Sequence, residues 1–251
     1  ICIDCYNYAG AANALKKTLQ QIKPFKAIFL TDINIELEGI EVIQIPSIYS
    51  KEEYSEFCLK QLDKYFYTSH CLLIQHDGYV LDGNAWDDNF YDYDYIGAPW
   101  LYPDRNVGNG GFSLRSNRLQ MILKSDSFIK SMHPEDEAIG RLYRDYLEKQ
   151  YGIRYAPQKL AEKFSFELRE PYCSTFGFHG YFHEPYKPIV IIKRTGAMGD
   201  LIMAEPLMDY YYKKGFKIVL DTLPENMGIF FNHPYRIYHI SELNKDAIPS
   251  K

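Results

Sequence analysis

The chain has no apolar run near the ~18–20 residues that span a bilayer, which argues against a transmembrane helix. It carries no secretory leader pattern, and it starts at Ile1 rather than Met, so it is expected to be a piece of something longer. It has no surplus of positive charge either. Against 28 Lys and Arg stand 33 Asp and Glu, a net charge of -5. Phosphate-backbone binding needs clustered cations, so a nucleic-acid partner is excluded. A paired-cysteine framework is also missing. Cys2 and Cys5 form a C-x-x-C, but inside an apolar strand-like run, and Cys58, Cys71 and Cys173 supply no second pair for a zinc site. Unpaired thiols of this kind fit a reducing compartment, hence a cytoplasmic location, with peripheral contact at the inner face of a membrane compatible with it.

What is present is ordinary for a globular chain: 46% apolar and 24% charged residues, which argues against disorder. At ~150 residues per domain, 251 residues make one domain with an appendage or two small domains. The first half alternates strand and helix signals. Strands are expected at Ile1–Cys5, Ala27–Leu30, Val42–Ile45 and Cys71–Ile74. Ala11, Leu15, Leu19 and Ile22 mark one helix, and Tyr54, Cys58, Leu62, Tyr65 and Phe66 a second. This β-α-β-β-α-β order predicts an α/β sheet with helices on its faces. Asp82–Tyr95 reads as a long surface loop. A strand at Phe112–Arg115, a helix over Arg118–Lys124, a helix opened by Pro134-Glu-Asp-Glu137 and a strand at Ile153–Ala156 follow. A boundary near 184–188 divides a first domain, 1–186, from a second segment, 187–251. The second is a fresh β-α-β of strands at Ile189–Ile192 and Lys217–Leu220, with one helix carrying Leu201, Ala204, Met208 and Tyr211. It is expected to pack on the main domain or to begin a truncated second one.

Four features carry chemistry. Ligands of open α/β sheets bind at the carboxyl ends of the strands, and Gln75-His-Asp77 stands at such an end. Gly108-Asn-Gly-Gly-Phe-Ser-Leu-Arg115 is a glycine-rich approach to a strand. Glu135-Asp136 places carboxylates at a helix start. Phe176-Gly-Phe-His-Gly180 sets His179 between glycines. Each has a plainer reading: a turn, a helix cap, or a His-Gly pair of the kind common in any sequence.

Taken together and in this order, with Gly97-Ala-Pro-Trp100, these motifs resemble a GT-A-type glycosyltransferase, best an uncharacterised bacterial domain family allied to that class, over roughly residues 1–185. The resemblance implies a mixed, mainly parallel sheet flanked by helices, a nucleotide-sugar donor, a glycan acceptor and a divalent cation, Mn²⁺ or Mg²⁺. Asp77 matches the last carboxylate of the D-x-D motif that holds the cation, while Gln75 replaces the first. His179 stands where a late histidine completes the metal site in several such families, and imidazole suits Mn²⁺ better than Mg²⁺. Asp136 is the implied base of an inverting transfer, with Glu135 as runner-up. Asp4 and Asp32 are candidates for the nucleoside, and Gly110 and Gly111 for close approach of donor or acceptor.

Lys193-Arg-Thr-Gly-Ala-Met-Gly-Asp200, followed by Leu201-Ile-Met-Ala-Glu-Pro206, resembles the opening of the heptosyltransferase family, whose GT-B enzymes have two nucleotide-fold domains. That likeness makes residues 188–240 a partial Rossmann-like β-α-β, Asp200 the matching acceptor-side base, and the sugar-nucleotide domain a missing C-terminal part. A generic dinucleotide fingerprint is not met. Two other readings stand beside the transferase. One is a degenerate sugar- or partner-binding module, favoured by Gln75. The other is a nucleotidyltransferase or phosphosugar hydrolase on a similar scaffold.

Overall fold

The computed structural model describes residues 1–168, 171, 173–180, 189–194, 198–214, 216–230 and 237–242. The chain divides into two compact units, 1–182 and 183–251.

The first unit is built on a mixed six-stranded sheet. Its strands are β1 (Cys2–Ile3), β2 (Ile28–Thr31), β3 (Glu41–Gln44), β4 (His70–Ile74), β5 (Tyr95–Gly97) and β6 (Phe112–Ser116), in spatial order β3-β2-β1-β4-β6-β5. β1 to β4 run parallel, and β6 is antiparallel to both of its neighbours. Parallel neighbours need crossovers. α1 (Tyr8–Gln21) links β1 to β2, and α2 (Lys51–Lys60) links β3 to β4. α1 starts where the Asn7 side chain accepts the Gly10 N–H, and α2 where Ser50 accepts that of Glu53. Ile3, Leu30, Phe57, Cys58, Leu62 and Leu73 form a core beneath the sheet. All five cysteines are free thiols, and burial pushes Cys2 up to about 12.

The remaining elements of this unit are α3 (Asn117–Ser125), α4 (Glu135–Glu137), α5 (Arg144–Tyr151), α6 (Gln158–Phe164), β7 (Ser165–Phe166) and β8 (Gly177–Phe178). β7 and β8 pair in parallel, Ser165 opposite Gly177 and Phe166 opposite Phe178. A second core gathers Tyr95, Leu119, Leu123, Ile139, Tyr143 and Leu147.

Several elements differ from the sequence expectation. The helix expected over Tyr54–Phe66 ends at Lys60, and Leu62–Tyr65 tightens into a 3₁₀ turn that keeps Leu62 and Phe66 in the same core. Asp82–Tyr95 is not a plain surface loop. Two 3₁₀ turns bury Phe90, Asp94 is buried, and Tyr95 opens β5. The helix opened by Glu135 is interrupted by a π turn over Ala138–Leu142, where the Tyr143 N–H reaches the Ala138 carbonyl at 2.9 Å. The extra residue swings Leu142 into solvent and leaves Ile139, Tyr143 and Leu147 in the core. Ile153–Ala156 forms a single bridge, Tyr95 to Tyr155, before Pro157 withdraws the next N–H.

The second unit holds β9 (Ile189–Lys193), α7 (Met198–Ile202), α8 (Glu205–Lys213), β10 (Lys217–Asp221) and β11 (Ile237–His239). Its parallel sheet runs β11-β10-β9, over a core of Ile192, Leu201, Met208, Ile218 and Leu220. The single expected helix is two, because Pro206 sits in the first turn of α8, where its missing N–H costs nothing. Among the described residues no helix is long and apolar enough to cross a membrane.

Candidate functional site

Parallel strands β1, β2 and β4 bring their carboxyl ends to one edge of the sheet, and β6 begins there. Asp4 follows β1, Asp32 follows β2, and Gln75-His76-Asp77 follows β4. Gly110 and Gly111 lead into β6, and the Gln75 N–H donates to the Gly111 carbonyl at 2.9 Å.

Asp77 and His179 meet. His179 Nε2 lies 3.2 Å from Asp77 Oδ1 and 3.1 Å from Gln75 Oε1. On its other side, Nδ1 lies 3.0 Å from Glu167 Oε1. Desolvation by burial works against a charged imidazole. The bonds to Asp77 and Glu167 more than offset it and raise His179 to about 10. Burial also works against the Asp77 carboxylate, but the neighbouring His179 and His76 hold it below its ordinary value.

Sequence reasoning missed Glu167. It lies in an unremarkable stretch of mixed charge, and only the parallel register of β7 and β8, which carries Glu167 alongside His179, brings it in. Asn109, quoted only as part of the glycine run, is its second partner. Asn109 Nδ2 donates to Glu167 Oε2 at 2.7 Å, and Asn109 Oδ1 accepts the Gly111 N–H at 3.1 Å.

The two glycines are required by the protein's own groups. A Cβ on Gly111 would overlap the His179 ring, and one on Gly110 would crowd Glu135, Asp136 and Arg115. The space beside Gly111 is therefore filled by imidazole rather than open to a donor or acceptor. The Gly110 N–H donates to Asp136 Oδ2 at 2.9 Å. Asp136 and His179 thus stand on adjacent residues of one glycine pair.

The two neighbouring carboxylates at the start of α4 have different fates. Glu135 is buried and paired at 3.0 Å with Arg115, whose side chain is fully buried. This removes Glu135 as an accessible base. Asp136 is only half-buried. Burial first, then the Glu135 charge, push it up to about 6 against the N–H groups of Gly110 and Glu137. A carboxylate in that range is suited to take a proton near neutral pH.

Asp4 and Asp32 are engaged locally. Asp4 Oδ1 accepts the N–H groups of Tyr6 and Asn7, and its Oδ2 lies 3.1 Å from His76 Nδ1. Asp32 accepts hydroxyls from Tyr8 at 3.0 Å and Ser47 at 2.6 Å. The Asp200 side chain lies outside the described residues, as do residues 195–197 of the motif that leads to it. A cavity of about 490 Å³ borders the starts of β2 and β4, and none of the candidate residues lines it.

Among the described residues no three His, Cys, Asp or Glu side chains form a ready cation cage, since Glu167 lies on the far nitrogen of His179. The near side offers a hard or borderline cation two oxygens at once, and a nitrogen when the cation displaces the Nε2 proton of the imidazolium. Asp77 Oδ1 is buried without a well-aligned hydrogen bond, and the amide oxygen of Gln75 and Nε2 of His179 converge on it. Magnesium-like ions commonly use only one or two protein carboxylates and complete their shell with water and substrate phosphates.

Residues 39–179, just over half of the chain, match the family described as "Protein of unknown function (DUF5672)". No curated protein matches the sequence. Among solved structures, the chain is similar to the apo-form glycosyltransferase GlyE of Streptococcus pneumoniae TIGR4, at 10% identity and TM-score 0.44, covering 95% of this chain and 78% of that one. It is also similar to the galactosyltransferase LgtC in complex with donor and acceptor sugar analogs, at 16% identity and TM-score 0.42, covering 71% of this chain and 85% of that one.

Proposed function

We propose that this chain, which belongs to the DUF5672 family of proteins of unknown function, is a metal-assisted glycosyltransferase that moves a sugar from a nucleotide-diphosphate donor to a glycan acceptor. The observation that carries the reading is the meeting of Gln75, Asp77 and His179 at the end of β4, with Asp136 across the Gly110-Gly111 pair. One pole suits a cation under phosphates, and the other a base for a hydroxyl.

Asp77 and His179, with Gln75, would hold Mn²⁺ or Mg²⁺, the imidazole favouring Mn²⁺. When bound, the ion neutralises charge developing on the leaving diphosphate. Asp136 accepts the proton of the acceptor hydroxyl at Oδ1 or Oδ2, while the Gly110 N–H holds the carboxylate in place. A base on the face opposite the leaving group makes the transfer inverting. Glu135 does not touch substrate. Its pairing with Arg115 anchors the start of α4 and so the position of Asp136. Asp4 and Asp32 sit on the nucleoside side of the same edge. The second unit is read as the start of a heptosyltransferase-like domain, with Asp200 as its acceptor-side base and its nucleotide half elsewhere. The reaction is placed in the cytoplasm, with glycan acceptors reachable at the inner face of a membrane.

The test is a panel of nucleotide-sugars scored for metal-dependent release of nucleoside diphosphate. Asp136→Ala is expected to lower turnover by about 10²–10⁴-fold, and Asp77→Asn to abolish the metal dependence. Release of nucleoside monophosphate or pyrophosphate instead would move the protein to another reaction class.

One observation favours a second reading, a sugar- or partner-binding module: Gln75 replaces a carboxylate, and oxygens of Gln75, Asp77 and Glu167 already engage both His179 nitrogens. A rise in melting temperature with sugar but none with Mn²⁺ and nucleoside diphosphate would select it.

A further inference from the structure

We propose that Glu167 is the positioning residue of the His179 imidazole, deciding which ring nitrogen faces Asp77 and Gln75. The proposal rests on the cation reading above and deepens it.

The placement is set by backbone before any side chain acts. β7 and β8 pair Phe166 with Phe178, and the His179 N–H donates to the Phe166 carbonyl at 2.9 Å. The next residues on the two strands, Glu167 and His179, are therefore neighbours by register. Glu167 Oε1 lies 3.0 Å from Nδ1. An ionised carboxylate only accepts, so Nδ1 donates to Glu167, while Nε2, facing the acceptors Gln75 Oε1 and Asp77 Oδ1, carries the second proton of the imidazolium and is the nitrogen a cation would take by displacing that proton. Ligating imidazoles commonly donate their second N–H to a carboxylate in this way, which fixes tautomer and ring orientation.

Glu167 is itself held. Its Oε2 accepts from Asn109, Asn109 accepts from the Gly111 N–H, and the Gly111 carbonyl accepts from Gln75. Gln75 returns to Nε2 of His179. The contacts close a ring from Glu167 through Asn109, Gly111, Gln75 and His179 back to Glu167. Among these residues Asn109 is 6% exposed, and the Glu167 and His179 side chains are 12% and 14% exposed. Such shielding makes an alternative water partner for Nδ1 costly. Glu167 lies on the side of the ring away from Asp77, so it acts through His179.

Two readouts on the whole chain test this. In metal-free protein labelled with ¹⁵N-histidine, the His179 Nδ1 proton is expected to show a strong hydrogen bond in wild type and in Glu167→Gln, whose amide oxygen still accepts, and to lose it in Glu167→Ala. Titration with Mn²⁺, followed by the electron paramagnetic resonance of the free ion, is expected to show about 10–100-fold weaker binding in Glu167→Ala, and only partial recovery in Glu167→Gln, whose amide oxygen serves Nδ1 while its N–H groups meet the Asn109 donor. Circular dichroism on both variants controls for folding. An unchanged Nδ1 signal together with unchanged Mn²⁺ affinity in Glu167→Ala would overturn the proposal. A wild type that takes up no Mn²⁺, yet whose Nδ1 proton depends on Glu167, would support the positioning role and sink the cation reading.

Discussion

Asp136 holds its charge at a cost. Burial and the adjacent Glu135 raise it from 3.8 to about 6, so the native state binds this proton more tightly than the unfolded chain does. Its contribution to stability is therefore greatest when protonated and is lost as pH climbs from about 4 to about 6. Asp136→Asn keeps an oxygen for the Gly110 N–H, gives up the one that accepts the Glu137 N–H, and removes the charge. By calorimetry its melting temperature relative to wild type is expected to be higher at about pH 8 than below about pH 4. Diphosphate release by wild type should rise in the opposite sense, through about pH 6 to a plateau, as the base ionises. Arg115 makes a contrasting case. Arg115→Met leaves Glu135 charged, buried and unpaired, and is expected to lower unfolding free energy by about 3–5 kcal/mol in urea titrations.

At the scale of elements, Ser116 joins three segments. Its hydroxyl caps α3 by accepting the Leu119 N–H at 3.0 Å and donates to Asp94 Oδ1 at 2.7 Å, while Asp94 Oδ2 accepts the Arg154 N–H at 2.9 Å. Ser116→Ala loses the cap and a buried partner of Asp94, and a loss of about 1–3 kcal/mol is expected from denaturant unfolding. Asp94 also marks where sequence legibility stopped. The strand at Cys71–Ile74 was readable as a short apolar run between polar turns, and that at Phe112–Arg115 as an apolar–polar alternation after glycines. The Asp- and Tyr-rich stretch before Tyr95 looked solvated because nothing local signals that its carboxylate ends up buried on a strand end and a distant backbone N–H. The candidate site divides in the same way. Gln75, Asp77, Asp136 and His179 were visible as polar residues beside glycines or at element ends. Glu167 was not, since its role comes from a two-residue parallel pairing. Glu135 and Asp136 read alike in sequence, and only the course of Arg115 through the core separates them.

For the molecule as a whole, Gln75, Asp77, Asp136, Glu167 and His179 all fall within the first unit, residues 1–182. A fragment of that span is expected to unfold in one cooperative step and to bind Mn²⁺ as tightly as the full chain. A tenfold loss in titration would show that residues 183–251 contribute to the site. The strand ends also set the electrostatic character of the site's approach. Asp4, Asp32, Asp77, Asp136 and Glu167 gather at or beside this edge; among the described residues the imidazoles of His76 and His179 pair with Asp4, Asp77 and Glu167, while the buried Arg115 guanidinium is taken up by Glu135. A bare polyanion nearing that rim meets repulsion, which dissolved ions screen. Capture of a free nucleoside diphosphate should therefore quicken as ionic strength rises, the reverse of the behaviour of proteins that draw phosphates in with lysines.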